Sequence, residues 1–371
     1  MFKKLLAPSL LLSLSINVAL AQTPTFKDVY GQYNQAFASE DYESAVTYAK
    51  QTLELGKQIY GANSENAINL EYNLGLAYSA NKQPELAYIT LGNVANAYKE
   101  LSGDNSVQRY SAILDQIATA ENYTQMNFEK KVLKYRSTIN SALNIVDNVP
   151  NSDIATKANM YYQLSRMLIK SPINSYHFKQ AFSTLEKTES LLLAAVGEKD
   201  TRTVEVQFLL AKYNSAKRRT QKAIEYYETV VNVIEGEIET SHPYELASRA
   251  ALVGLYEGSG DSKLATEHCI AIGHMTPWND NIDPTPLYRM PPDYPMSKGR
   301  MGKDGSVVLS FDIDQAGFVK NINMLEQEGG QAFVTKAIKA LEQWRYAPKI
   351  VDGQAVVAEN MKVQLDFKVQ S

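Results

Sequence analysis

The sequence predicts a multidomain protein in which an all-α solenoid of helical repeats is followed by a small α+β domain of order β-β-α-β. Three observations carry this prediction. Alanines recur at a fixed interval through the first two thirds of the chain, prolines then cluster, and the apolar residues beyond them alternate as in strands. We expect a signal peptide at 1–21, the repeats at 26–273, a Pro-rich linker at 274–291 and the α+β domain at 292–371.

The composition is that of a globular protein without internal disulfides. The 371 residues are 44% hydrophobic and 21% charged, which is enough apolar material for two or three packed domains. A formal net charge of −4 argues against a general nucleic-acid binder, which would carry a basic excess. Cys269 is the only cysteine, so core packing must hold the chain together.

The N-terminus has the three-part pattern of a secretory signal peptide. Lys3 and Lys4 precede an apolar run that ends in an A-x-A cleavage motif at Ala19-Leu20-Ala21. We expect cleavage before Gln22 and export of the mature chain. The alternative is an uncleaved membrane anchor. The run from Leu5 to Ala21 has 17 residues and includes a proline, three serines and an asparagine, so it is short and polar for a span.

Alanines spaced by 42 residues mark the helical repeats. Ala45 and Ala87 are 42 residues apart, and Ala181, Ala223 and Ala265 continue at the same spacing further along the chain. Each belongs to a helix that needs a small residue where two helices approach closely. The longer interval between Ala87 and Ala181 has room for two degenerate repeats, so we expect five or six helix pairs in all.

The segment NLGLAYSANKQPELAYITL resembles the tetratricopeptide (TPR) repeat. Leu74, Gly75, Tyr78, Ala87 and Leu91 follow its pattern, in which small residues allow close approach and large ones fill the space between hairpins. The 42-residue period is longer than the usual repeat and is similar to the kinesin-light-chain type. The resemblance implies a TPR-like stack of helix pairs that holds a protein partner.

A Pro-rich segment separates the two parts. Six of the 13 prolines fall between 277 and 295. Because proline has no backbone N–H and a fixed φ, we expect an extended and fairly stiff linker here.

The last part of the chain changes to the period of strands. The stretch SVVLSFDID alternates apolar and polar residues, a DQAG turn follows, and FVKNINMLE continues as a second strand whose pattern slips between Val319 and Ile322, which predicts a bulge. QAFVTKAIKALEQW then has one apolar helix face, and MKVQLDFKV alternates again. A small antiparallel sheet covered by one helix would bury these faces.

A YP pair, Tyr294-Pro295, precedes the first strand of this part, and a W-R-Y-x-P motif, Trp344 to Pro348, follows its helix. These motifs and the order of strands and helix resemble the C-terminal domain of TonB, the energy transducer of Gram-negative outer-membrane transport. The motif residues, to which we assign structural roles, are Tyr294, Pro295, Gly305, Gly317, Trp344, Arg345, Tyr346, Pro348 and Gly353.

The resemblance implies a periplasmic domain that pairs with an extended segment of an outer-membrane transporter. In the family, the segment adds as a strand to the edge formed by the last strand, here about Lys362 to Val369. An unpaired edge offers backbone donors and acceptors to such a segment, but charges on it discourage pairing. The same edge could pair with a second copy, so a homodimer stays open. The candidate partner-binding residues are Lys362, Gln364, Asp366 and Lys368.

The Trp-Arg-Tyr motif has two interpretations. It could be an aromatic and basic patch that meets a partner. Alternatively, Trp344 fills the space between helix and sheet, Arg345 neutralises the helix C-terminus and Pro348 stops the helix. We favour the second interpretation.

These observations predict a periplasmic protein–protein interaction protein that serves outer-membrane transport or envelope assembly. We expect no enzyme activity, since no catalytic motif occurs in context, and no cofactor, nucleic-acid partner or small-molecule substrate. His268, Cys269 and His274 are close in sequence, but no further Cys or CxxC motif accompanies them, so we expect structural or surface roles rather than a zinc site. The alternative is an anchored TonB-type energy transducer, although a repeat array stands here where that family has a long Pro-rich spacer.

Overall fold

The structure of the protein, a computed structural model, describes residues 24–120, 122, 128–149, 153–170, 178–235, 242–275, 284–299 and 302–368. The predicted signal peptide at 1–21 lies outside these residues, as does the part of the Pro-rich segment from 276 to 283. The chain divides into two compact units, with the boundary in the sequence after Val149.

Within each unit, consecutive helices of the repeat region pack as hairpins. In the first unit the helices are α1 Phe26–Ala38, α2 Tyr42–Tyr60, α3 Glu65–Ala80, α4 Pro84–Ser102, α5 Val107–Ala120 and α6 Phe128–Asn148. In the second unit they are α7 Ile154–Lys170, α8 Phe178–Ala195, α9 Thr201–Ala216, α10 Thr220–Ile234, α11 Pro243–Ser259 and α12 Ser262–Met275. The described residues therefore contain six helix pairs, within the predicted range.

The small residues lie where the helices of a pair approach each other. The five alanines that define the 42-residue spacing are all buried. At Gly75 an added Cβ would lie 2.8 Å from Leu91 Cδ2, so the glycine permits the close contact between α3 and α4. The TPR-like alternation of small and large residues is thus confirmed in the packing.

The turn inside several hairpins repeats one backbone conformation. Glu40, Lys82, Arg218 and Gly260 all have positive φ, with values of 61°, 55°, 56° and 86°. In each case the next residue donates its N–H, at 2.9 Å, to a carbonyl five residues earlier. Such a left-handed residue after a helix is usually glycine, so only Gly260 carries a sequence signal for it.

The C-terminal domain has the predicted β-β-α-β core with short additions. The elements after α12 are β1 Pro286–Tyr288, α13 Met296–Gly299, β2 Gly305–Ile313, β3 Val319–Glu328, α14 Gln331–Leu341, β4 Arg345–Tyr346, β5 Lys349–Val351, β6 Gln354–Val356 and β7 Ala358–Phe367. Strands β2 and β3, helix α14 and strand β7 form that core, and the three strands make an antiparallel sheet of order β3-β2-β7.

The core of this domain lies between the sheet and α14. The alternating side chains of β2 are buried against the apolar face of the helix. Burial of side chains of this size stabilises a fold by about 1.5–3 kcal/mol each. The central cluster includes Val307, Leu309, Phe311, Ile313, Phe333, Val334, Ala337, Leu341 and Trp344.

The bulge predicted in the second strand is confirmed. Ser310 pairs with Asn323 and Asp312 with Lys320, so two residues of β3 face one residue of β2. Asn321, at the bulge, has a positive φ of 49°. A second irregularity, in which Leu325 is the extra residue, follows along the same strand and was not predicted.

Pro348 does not stop helix α14, so this part of the prediction was wrong. Helix α14 ends at Leu341, seven positions before the proline. Arg345 and Tyr346 instead form β4, which pairs with β1. The second half of the Pro-rich segment therefore contributes a short strand to the C-terminal domain.

The C-terminal domain packs directly on the last helix pair. Leu287 and Tyr288 of β1 and the buried Ala347 share one apolar cluster with Cys269 and Ile272 of α12. An added Cβ at Gly273 would lie 2.9 Å from Pro348 Cγ, so the proline of the motif contacts α12 closely.

Across the residues that the structure describes, no helix combines the length and the apolar character needed to cross a bilayer.

Candidate functional site

Strand β7 lies at one edge of the three-stranded sheet. Its register against β2 is continuous from Met361 to Phe367, with Leu365 opposite Val307 and Val363 opposite Leu309. Among the described residues no strand pairs with its other side. That side presents a row of backbone N–H and C=O groups, which is the geometry to which an extended peptide adds.

The two faces of β7 differ in polarity. Leu365 and Phe367 are buried in the core, and Met361 and Val363 are half-buried beside it. The predicted partner-binding side chains are exposed, and Gln364 Nε2 donates a 2.8 Å hydrogen bond to Asp366 Oδ1. A strand added here would meet an apolar core on one face and a polar row on the other. The exposed polar residues are Lys362, Gln364, Asp366 and Lys368.

Asp312 holds the start of β7 in place. Its Oδ1 accepts the Asn360 backbone N–H at 2.9 Å, and its Oδ2 accepts Asn321 Nδ2 at 2.7 Å. Both bonds favour the carboxylate and hold the pKa of Asp312 below its usual value. One side chain thus ties β2 to both neighbouring strands where their registers shift. The sequence shows it only as an outward polar residue of a strand.

The glycines of the family motif are required by space or by turn geometry. At Gly305 an added Cβ would lie 2.8 Å from the Glu328 carbonyl oxygen and closer still to the Phe333 ring. Gly317 has a φ of 81° and lies against the Tyr346 carbonyl. Gly353, with a φ of 74°, makes the tight turn between β5 and β6.

The aromatic and proline residues of the motif are part of the core. Tyr294 donates its hydroxyl to the Lys303 carbonyl and packs edge-on against Phe333 and Phe367. Pro295, the next residue, is buried. These contacts fix the entry of the chain into the domain.

Trp344 and Tyr346 do not form an exposed binding patch. Trp344 is 3% exposed and donates Nε1–H to the Met290 carbonyl at 2.9 Å. Burial raises the pKa of Tyr346 to about 12. Both rings belong to the core cluster, in line with the packing interpretation of the motif.

Arg345 does not neutralise the C-terminus of α14, and this part of the prediction was wrong. It is 1% exposed, and its Nη2 donates to Thr266 Oγ1 and to the Ala316 carbonyl, each at 2.9 Å. Its Nη1 pairs with the Glu257 carboxylate, and the guanidinium lies 3.6 Å from the centroid of the Phe318 ring. The side chain therefore links the C-terminal domain to α11 and α12, at a distance along the chain that no sequence pattern reveals.

His268 and Cys269 lie against other protein side chains. His268 Nε2 lies 3.0 Å from Glu228 Oε1, and its ring stacks on that of Tyr256. Cys269 is buried beside Arg345. His274 lies in the last turn of α12. Within the described ranges no group of three or more His, Cys, Asp or Glu residues is placed to hold a metal ion.

The C-terminal domain matches a known family. Residues 290–369 fit the family model described as Gram-negative bacterial TonB protein C-terminal. This confirms the resemblance predicted from the Tyr294-Pro295 and Trp344-Arg345-Tyr346 motifs.

Two curated relatives carry the same name. "Protein TonB" of Vibrio cholerae serotype O1 is 29% identical over 79 residues, which are 21% of this chain and 32% of the relative. "Protein TonB" of Pseudomonas aeruginosa is 30% identical over 92 residues, which are 25% of this chain and 26% of the relative. The chain thus spans a third or less of the length of these two relatives.

Two solved structures are similar to parts of this chain. The TPR-like repeats of a Podosopora anserina kinesin light chain are 15% identical, cover 57% of this chain and 97% of their own, and give a TM-score of 0.45. The TonB2 protein of Vibrio anguillarum is 36% identical, covers 26% of this chain and 90% of its own, and gives a TM-score of 0.21.

Proposed function

We propose that the chain is a periplasmic interaction protein that captures an extended segment of an envelope protein on the edge of β7, while its helical repeats hold a second protein. The observation that supports this most directly is the unpaired side of β7 in the described sheet. The match of residues 290–369 to the TonB C-terminal family supports a partner in the outer membrane.

Strand addition suits this edge physically. Backbone hydrogen bonds supply affinity that is independent of sequence, and side chains at alternate positions supply specificity. Lys362, Asp366 and Lys368 would meet complementary charges on one face of the added strand, because cross-strand neighbours lie within about 5.5 Å. An acidic residue opposite either lysine is therefore favoured.

Because the C-terminal domain is attached to α11 and α12, a segment captured at β7 would also be held close to these helices. A strand bound at β7 becomes joined to the repeat region through the buried Arg345 contact rather than through a flexible tether. The protein would then hold two partners together, as a scaffold for outer-membrane transport or envelope assembly.

Photo-crosslinking in intact cells tests the proposal. A photoreactive residue at Gln364 is compared with one at Glu326, which is exposed on β3 at the opposite edge of the same sheet. We expect Gln364 to capture an outer-membrane protein and Glu326 to capture none. Equal capture at both positions, or none at Gln364, would contradict strand addition at β7.

An anchored energy transducer is the second candidate, and the matches to proteins named TonB favour it. Sequencing the N-terminus of the exported protein separates the two. A chain that begins at Gln22 has lost the anchor that energy transduction requires, whereas an intact N-terminus supports the transducer.

A further inference from the structure

An apolar crevice opens between three helices of the second unit. It has a volume of about 210 Å³ and lies between the C-terminal end of α7, the start of α8 and the second half of α9. For scale, an engineered apolar cavity of about 150 Å³ binds benzene. The crevice therefore has room for one large apolar side chain. Its principal lining residues are Ile169, Phe182, Leu185, Leu209, Lys212 and Tyr213.

One wall of the crevice is a stacked aromatic pair with a cation near it. The Phe182 and Tyr213 rings stack with centroids 3.8 Å apart and an angle of 15° between planes. The Arg219 guanidinium lies 5.8 Å from the first centroid and 6.0 Å from the second. This arrangement places a positive charge at the rim of an apolar surface.

The segment that forms the second half of α9 and the start of α10, and that contributes Leu209, Lys212 and Tyr213 to the crevice, is basic. Between 206 and 224 the chain has five cationic residues and neither Asp nor Glu, although the protein as a whole carries a net charge of −4. Lys212 and Arg219 are exposed, and no carboxylate of the described residues lies within ion-pair distance of either. Lys212 instead lies 5.8 Å from the centroid of the Phe208 ring. Two cations at the rim are thus available to an acidic ligand.

We infer that this crevice binds an acidic peptide segment of a partner protein, with one aliphatic or aromatic side chain inserted between Phe182 and Leu209. Carboxylates on either side of that anchor would meet Lys212 and Arg219. The concave shape favours a peptide over a membrane surface, which would require protruding apolar side chains instead. The inference rests on the scaffold half of the proposed function, because it names the chemistry of the partner that the repeats hold.

Fluorescence anisotropy with synthetic peptides tests the site on the chain from Gln22 to Ser371. The probe is a labelled peptide with a central leucine flanked on each side by two aspartates. Two matched peptides replace the leucine with serine or the aspartates with lysines. We expect the first peptide to bind and each replacement to weaken binding by at least about tenfold, since apolar burial and charge both contribute.

Variants of the protein locate the binding. Lys212→Glu and Arg219→Glu should each raise the Kd at least about fivefold, and Ala216→Phe, which fills the crevice, should do the same. Lys263→Glu on α12 is the matched control, because it is exposed and makes the same change in net charge. Circular dichroism and the urea midpoint show whether each variant is folded.

Three results would overturn the inference. They are no binding of the acidic peptide, equal binding of the leucine and serine peptides, or an equal loss of binding in Lys263→Glu and Lys212→Glu. Binding to phosphatidylglycerol vesicles but not to the peptide would assign the patch to a lipid surface and also overturn it. Because the probe does not use β7, its failure is distinguishable from failure of the Gln364 crosslink.

Discussion

The Arg345 guanidinium donates a 2.9 Å hydrogen bond from Nη2 to Oγ1 of Thr266, which lies 79 positions earlier in α12. Its Nη1 pairs with Glu257 near the end of α11, so one side chain is bonded to both helices of the last pair. A buried guanidinium needs such partners, because an uncompensated charge in a protein interior is strongly destabilising. The C-terminal domain is therefore fastened to the repeats by a specific polar contact inside an apolar interface.

Removing the Arg345 charge should destabilise the protein strongly. Arg345→Met leaves Glu257 partly buried without its cation, and loss of one partner of a buried pair costs about 3–5 kcal/mol. We expect a decrease in the free energy of unfolding toward the lower end of that range, since the Glu257 side chain keeps 14% exposure. Urea denaturation followed by circular dichroism measures it.

The matched control for this prediction is Arg289→Met. Arg289 is an exposed cation 5.0 Å from the centroid of the Trp344 ring, a contact worth about 0.5–1 kcal/mol. Equal losses in the two variants would contradict a special role for Arg345. A double variant, Arg345→Met with Glu257→Met, should lose less than the sum of its single changes.

Replacing either of two glycines of the last helix pair with alanine should change the stability of the protein in opposite directions. Gly258 of α11 has no atom within 4 Å of an added Cβ, whereas at Gly273 of α12 the Cβ would lie 2.9 Å from Pro348 Cγ. Alanine in an unobstructed helix stabilises by about 0.4–1 kcal/mol. We therefore expect Gly258→Ala to raise the free energy of unfolding and Gly273→Ala to lower it. Stabilisation by Gly273→Ala would show that the domain does not press on α12 there.

Protonation of the Asp312 carboxylate in acid should weaken the hydrogen bond that it accepts from the Asn360 amide. The folded-state pKa of Asp312 lies below its unfolded value. The ionised carboxylate therefore stabilises the folded protein fully above the unfolded pKa of about 3.9, and this stabilisation is lost as the pH falls through the folded pKa. In a pH series by NMR, the Asn360 amide proton should shift with a midpoint below about 3.9. Asp312→Asn should abolish the shift, and a midpoint above the unfolded value would contradict the two hydrogen bonds.

The local features of the fold follow from neighbours along the chain, which is why they could be predicted. The alternation from Val307 to Ile313 defines the buried face of β2, and the slip after Val319 marks the bulge at Asn321. Alanines at 42-residue intervals likewise mark the position in each helix pair where the close approach of two helices needs a small residue. The prediction of repeats followed by a β-β-α-β domain depends only on such short-range patterns.

The attachment of the domain could not be predicted, because its partners are far apart in sequence. Nothing near Arg345 indicates Thr266 or Glu257, and a cation shortly after a helix is ordinarily interpreted as a partner of the helix dipole. Asp312 was missed for a similar reason. Its position marks it as an outward strand residue, and its two hydrogen bonds depend on the registers of β3 and β7.

Cys269 should report on the attachment of the C-terminal domain. Its side chain is fully buried in the interface, next to Arg345, and burial raises its pKa to about 11. At pH 8 only about a thousandth of such a thiol is ionised, compared with about a quarter of a free cysteine of pKa about 8.5. Reaction of the native protein with a thiol reagent such as DTNB should therefore be at least about a hundredfold slower than reaction of the urea-unfolded chain.

In Arg345→Met the interface opens more often, because it has lost the buried ion pair. Labelling of Cys269 should therefore be faster in that variant, while Arg289→Met leaves the rate unchanged. Rapid labelling of the native wild-type protein would show that the domain leaves α12 freely and that Arg345 does not hold it there.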